Sequence, residues 1–217
     1  MAVRCTNEVV GFLAHTARRI DEGALPAGYA AFAIAYHAFT LELIAKLTSG
    51  VFEDPVRMSD FVVRFCARYE HALADRTRCA APWRLAFSVA DTTPRPVIRN
   101  LLLGASAHMS YDLCACIVDL LEAHDAAALE RDVLAINRVI EAGIAPVQRA
   151  LGVRSSYAGI LAGIGGGLDD LVTWRTFSRW RLGAWRDALA VVAGTATLRD
   201  VEMRVARRGR VLRRLPL

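Results

Sequence analysis

The chain has 217 residues, 54% of them hydrophobic, a formal net charge of +5 and five cysteines. That length suits one sizeable core, an odd cysteine count does not make a disulfide framework, and no apolar run of about 18 residues free of charges and breakers predicts a transmembrane helix. The positive charge is almost entirely arginine, with Lys46 the single lysine. That usage fits a GC-rich genome, so the basic balance is weak evidence for nucleic acid, and no nucleic-acid partner is expected.

In chain order, the first helix is expected over Asn7–Glu22, with only a short apolar run between charges. Such a run lacks the features of a secretion signal, which predicts a cytoplasmic protein. The loop 23–28 holds Pro26, and a second helix follows over Tyr29–Thr48, rich in alanine and aromatics and closed by Ser49-Gly50. The segment VFEDPVRM reads as a connection, with Ser59 or Asp60 capping a third helix that runs to about Arg78. Pro82-Trp83 starts a short helix to Asp91, and Thr92–Pro96 is a break. A long helix over Val97–Ala123 comes next, then Leu129–Arg149 with Pro146 at its end, a short segment Tyr157–Leu161, a glycine-rich break at Gly163–Gly167, and Leu168–Val192. After Gly194 a last short helix and a basic tail from about 203 complete the chain. Long helices joined by short Pro/Gly loops, with no alternating strand pattern, predict an all-α fold, a single-domain helical bundle over residues 1–217.

The helix Val97–Ala123 is apolar on nearly every side, the mark of a buried central helix. Its exception is a stripe at four-residue spacing: Asn100, Gly104, His108 and Asp112. A histidine and an aspartate one turn apart in a core need partners, because unpaired buried polar groups are costly. Three readings of His108 and Asp112 stand. The carboxylate orients the imidazole for acid–base catalysis; both ligate a divalent metal; or the pair is structural. Two ligands fall short of the three usual in catalytic zinc sites, so a bound metal would draw on His37, Glu42 or Asp54, with His71, Glu70 and Asp91 as weaker donors. No cofactor is otherwise expected.

Aromatic residues on the flanking helices fit an apolar pocket with few polar groups, the usual form of a small-molecule site. Tyr36, His37, Tyr69, Trp83, Asn100 and Tyr111 are the candidate substrate-binding residues, with Phe39 and Phe87 nearby. Buried tyrosine hydroxyls at 36 and 69 would need a partner, and His108 or Asp112 would serve. The cluster Gly163–Gly167 lacks the strand and lysine of a phosphate loop. The run Trp174, Arg175, Arg179, Trp180, Arg181, Trp185 and Arg186, continued by the arginines of the tail, has the charge to meet an anionic ligand, a membrane surface or nucleic acid; its plain reading is a solvated basic face, with no stable membrane insertion.

The segments FAIAYHAFT, VFEDPVRM, RFCARYEHAL, Pro82-Trp83 with Ala86-Phe87, LLLGASAHMSYDL and RWRLGAWRDAL fall in an order that resembles domain of unknown function family 5995, over roughly Ala31–Leu189. The hallmark of that family is a Leu-rich Gly-Met-Asn-Ala-His-Ile-Asn-x-Asp-Leu helix. Gly104, Ala107, His108, Asp112 and Leu113 match it, while Ser106 and Ser110 stand in place of asparagines. The resemblance implies a helical fold with a site at His108 and Asp112 and supplies no reaction. The expectation from the residues is a small cytoplasmic bacterial enzyme of secondary or lipid metabolism, performing acid–base chemistry of cyclisation, isomerisation or lyase type on a small apolar molecule. The alternatives are a metal-dependent hydrolase and a non-catalytic ligand-binding or scaffold protein. A homodimer is compatible with each.

Overall fold

The computed structural model describes residues 2–92, 97–153 and 167–214, and their side chains except at 2–6, 27, 97, 141–153 and 167–174. All regular structure among them is helical: α1 (Ala2–Asp21), a 3₁₀ turn (Ala27–Tyr29), α2 (Ala30–Lys46), α3 (Pro55–Ala74), α4 (Ala81–Thr92), α5 (Val97–Ser106), a π-helical turn (Ala107–Asp112), α6 (Leu113–Leu121), α7 (Ala126–Val153), α8 (Gly167–Val192) and α9 (Leu198–Leu212). The expected segment Tyr157–Leu161 and most of the glycine cluster lie outside the described residues.

The rod formed by α5, the π turn and α6 is the centre of the molecule. Helices α2 and α4 pack on α5, α3 and α8 on α6, and α8 and α9 on the π turn. Leu113, Ile117 and Leu120 of α6 are buried, each worth about 1.5–3 kcal/mol relative to exposure. This settles the all-round apolar pattern of the segment. The window Ile98–Leu121 is long and apolar enough to cross a membrane by length and composition, contrary to the expectation that no such run exists, and 72% of it is buried inside the protein. A helix enclosed by five others presents little of its apolar surface to any other solvent.

Helix α2 crosses the rod at its closest point. Gly104 permits that approach, since a Cβ there would stand 2.6 Å from the Cγ of Phe32. Phe32 is thereby held against Tyr36, Tyr69, Trp83 and His108 in one aromatic cluster.

Several boundaries differ from expectation for local chemical reasons. Helix α3 starts at Pro55, not after Ser59 or Asp60, because the Asp54 carboxylate caps the amides of Val56 and Arg57 at 2.9 and 3.0 Å, and proline suits the first turn. It ends at Ala74, where the Asp75 side chain takes the Thr77 and Arg78 amides into a turn. Helix α7 starts at Ala126, with Asp125 accepting from the Ala128 amide, and continues through Pro146. The C-terminal basic segment is no loose tail. Thr197 and Asp200 form a reciprocal capping box that starts α9, which buries Val201, Val205 and Ala206. Its Arg208 turns inward, donating from Nε to Ser106 Oγ at 3.0 Å and from a terminal nitrogen to Ser110 Oγ, with its guanidinium over the Trp180 ring. Ser106 at the end of α5 and Ser110 in the π turn thus anchor the last helix to the rod.

Candidate functional site

The π turn coincides with the candidate pair: it begins at Ala107 and ends at Asp112. Four residues overshoot a full turn in an α-helix and fall short of one in the wider π-helix. The turn therefore re-aims the polar stripe at the point where it carries His108 and Asp112. Both side chains are buried, at 1% and 3% exposure. His108 Nδ1 lies 2.9 Å from Asp112 Oδ2, and the indole Nε1–H of Trp83 donates to the same oxygen at 2.8 Å.

An ionised carboxylate is acceptor-only, so with Asp112 as the carboxylate the indole N–H and the imidazole Nδ1–H both donate to Oδ2. His108 Nε2 is left as the lone-pair nitrogen. It is fully buried and, among the described residues, has no hydrogen-bond partner. Phe65 stacks on the ring at 3.7 Å between centroids, and Tyr36 meets it edge-on at 4.4 Å, so the plane of the imidazole is clamped. Burial holds the His108 pKa below its ordinary 6.5 against the upward pull of Asp112, and the nearby Arg68 adds to the lowering. The ring is thus a neutral base at pH 7.

The pair sits between two cavities. His108 lines an apolar chamber with a cavity volume of about 70 Å³, walled by α2, α3, the rod, α7 and α8. Phe32, Tyr36, Phe39, Leu43, Phe61, Phe65, Leu101, Met109, Ile136, Val139 and Phe177 supply the carbon surface; Thr40, His108 and Arg181 are its polar residues. Asp112 instead lines a polar cleft with Arg68, His71, Asp75, Arg78, Cys79, Trp83 and Tyr111. The carboxylate side of the pair therefore borders the polar cleft, and the imidazole side borders the chamber.

The candidate residues divide accordingly. Tyr36 lines the chamber; its hydroxyl bonds Thr40 and Cys66, and burial pushes its pKa well above 10. Tyr69 and Trp83 pack around His108 behind the chamber, Trp83 as a positioning donor to Asp112 and Tyr69 as a ring contact only. Tyr111 belongs to the polar cleft, and Asn100 borders a third, small cavity between α4 and α5. His37 is half-buried and lines none of these cavities, because its neighbours Tyr36 and Thr40 take the inward face of α2. Among the described residues no third histidine, cysteine, aspartate or glutamate joins the pair as a metal group. Asp54 is engaged as the cap of α3, and neither Glu42 nor His37 reaches the pair.

Two chamber residues do not stand out in the sequence. Phe65 reads there as the apolar face of α3. Arg181 reads as one arginine among many, although it lies four residues after Phe177 and three before Ala184, on the inward stripe of α8.

The lowered His108 pKa has a consequence for stability. As pH falls below about 6.5, an unfolded histidine binds a proton that the folded one refuses. Above that pH the group leaves stability unchanged; below it stability declines until the folded-state pKa is reached. Urea midpoints taken from about pH 7.5 down to about pH 5 should fall more steeply for the wild type than for His108→Gln. Equal slopes would show that His108 titrates normally in the folded protein.

A profile described as a family of unknown function (DUF5995) matches residues 7–215. No curated protein and no solved structure matches the chain.

Proposed function

The chain belongs to the DUF5995 family, whose membership brings no activity with it, and from the site we propose that the protein is an acid–base enzyme acting on a largely apolar small molecule. One observation carries this reading: the unpartnered Nε2 of a neutral, buried imidazole whose opposite nitrogen is locked by Asp112. A buried polar atom without a partner costs free energy, and a substrate proton is a fitting partner for the lone pair of a histidine that lines an apolar chamber.

In this reading the substrate lies between Phe39, Phe65 and Met109 with its reacting C–H or O–H at His108 Nε2. Nε2 takes the proton and the ring becomes an imidazolium, held by the carboxylate of Asp112. The same proton, or one exchanged with solvent, is returned to the product, so the enzyme ends neutral. Cyclisation, isomerisation and lyase reactions all fit this cycle, and a cytoplasmic role in bacterial secondary or lipid metabolism suits an apolar substrate.

A screen in heavy water tests this with an unidentified substrate. Purified protein is incubated in D2O with a fractionated apolar metabolite extract, and the compounds are followed by mass spectrometry. At least one compound should gain deuterium or change retention with the wild type and not with His108→Gln. An extract in which nothing changes with the wild type contradicts the reading.

A further inference from the structure

Arg181 is buried at 4% exposure in the wall of the apolar chamber. Its Nε donates to Asn137 Oδ1 at 2.8 Å, and one terminal nitrogen reaches the same oxygen and Ser178 Oγ. The other terminal nitrogen, Nη1, has among the described residues only the thioether of Met109 at 3.9 Å. Among the described residues no carboxylate approaches the guanidinium. Arg57, the other strongly buried arginine with its partners described, is paired with Asp132. A guanidinium remains charged in nearly every environment, and a buried charge without a counterion is costly. Burial lowers the Arg181 pKa to about 10, so the cation persists at neutral pH.

We infer that Arg181 is the anchor for a carboxylate on the chamber's ligand, so that the substrate class is an apolar monocarboxylic acid. This rests on the chamber being the substrate site and names what fills it. Arg181 sets the charge: His108 is neutral, and among the described residues no second basic side chain lines the chamber. One free terminal nitrogen with its donors suits one carboxylate oxygen. A phosphate or pyrophosphate would leave uncompensated negative charge in carbon surroundings. With its carboxylate on α8 and its carbon skeleton along α2 and α3, the acid is oriented in the chamber that His108 lines.

Isothermal titration with decanoate, decan-1-ol and decyl phosphate tests the anchor. The wild type should bind decanoate roughly tenfold or more tighter than decan-1-ol. Arg181→Met should remove that advantage and leave decan-1-ol binding unchanged. Should Arg181→Met fail to fold, Asn137→Asp carries the test: it is isosteric, gives the guanidinium an internal counterion, and should also abolish the preference for decanoate. Equal binding of decanoate and decan-1-ol by the wild type, or a preference that survives in the variants, overturns the anchor and leaves the apolar chamber standing. Tighter binding of decyl phosphate than of decanoate overturns the carboxylate assignment. Binding of none of the three overturns the chamber as a substrate site and the anchor with it. The anchor is read from binding and the proton transfer from turnover, so that the two stand or fall separately.

Discussion

His108→Gln is expected to lower turnover of the compound found in the deuterium screen by about 10² to 10⁴, the range for loss of a general acid–base group, while leaving the helical circular-dichroism spectrum intact. Glutamine retains a polar atom near the Asp112 carboxylate and is close in volume, so the core packing of Phe65 and Tyr36 is largely kept. Asp112→Asn should cost a similar factor by a different route. The amide can donate to Nδ1, which moves the imidazole proton to Nε2 and removes the lone pair from the chamber. Trp83→Phe should do much less, since Asp112 keeps its bond from His108 and only the second donor is lost. The order His108→Gln and Asp112→Asn far below Trp83→Phe is the signature of a tautomer-locked base. Folded variants of His108 and Asp112 with unchanged turnover would make the pair structural.

The largest expected loss of stability lies elsewhere, at Asp132. This residue is 1% exposed and gathers the Glu53 amide at 2.7 Å, the Asp54 amide at 3.3 Å, and two nitrogens of the buried Arg57, Nε among them at 3.2 Å. It clasps the segment before α3 to α7. Asp132→Ala leaves a buried guanidinium and two amides without their acceptor, and should cost about 3–5 kcal/mol by chemical denaturation. The double replacement Arg57→Met with Asp132→Leu should recover much of that loss, because removing both charges leaves none unpaired. A single Asp132→Ala variant within about 1 kcal/mol of the wild type would show that water already satisfies this cluster. The clasp also sets the α2–α3 and α7 walls of the chamber, so chamber binding should weaken with it.

The helical fold was legible because its signals are local and periodic. The stripe at Asn100, Gly104, His108 and Asp112 identified both the central helix and the pair, since four-residue spacing survives any tertiary arrangement. The π turn was not legible: no glycine or proline marks Ala107–Asp112, where the rod packs against α8 and α9. The start of α3 was written in Asp54-Pro55 and outweighs the later Ser59 and Asp60 for a physical reason, a carboxylate cap followed by a preset proline φ. Which aromatics would touch the imidazole depended on helix rotation. Phe65 and Tyr69 are four apart on α3, yet one stacks on His108 inside the chamber and the other packs behind it. Asn100 shares the stripe but borders a different cavity, because the α5 portion of the rod faces α4. Arg181 was hidden by composition: in a chain that uses arginine almost exclusively for positive charge, an inward-facing arginine looks like its solvated neighbours Arg175, Arg179 and Arg186.

Nitrogen-15 NMR of the His108 ring tests the central claim most directly, because it reads tautomer, charge and accessibility from one pair of resonances. At pH 7 the account predicts a neutral ring with the proton on Nδ1, a non-protonated Nε2, titration below 6.5, and a shift of the Nε2 resonance when decanoate enters the chamber. An imidazolium at pH 7, a proton on Nε2, or an Nε2 resonance indifferent to chamber occupancy would contradict it.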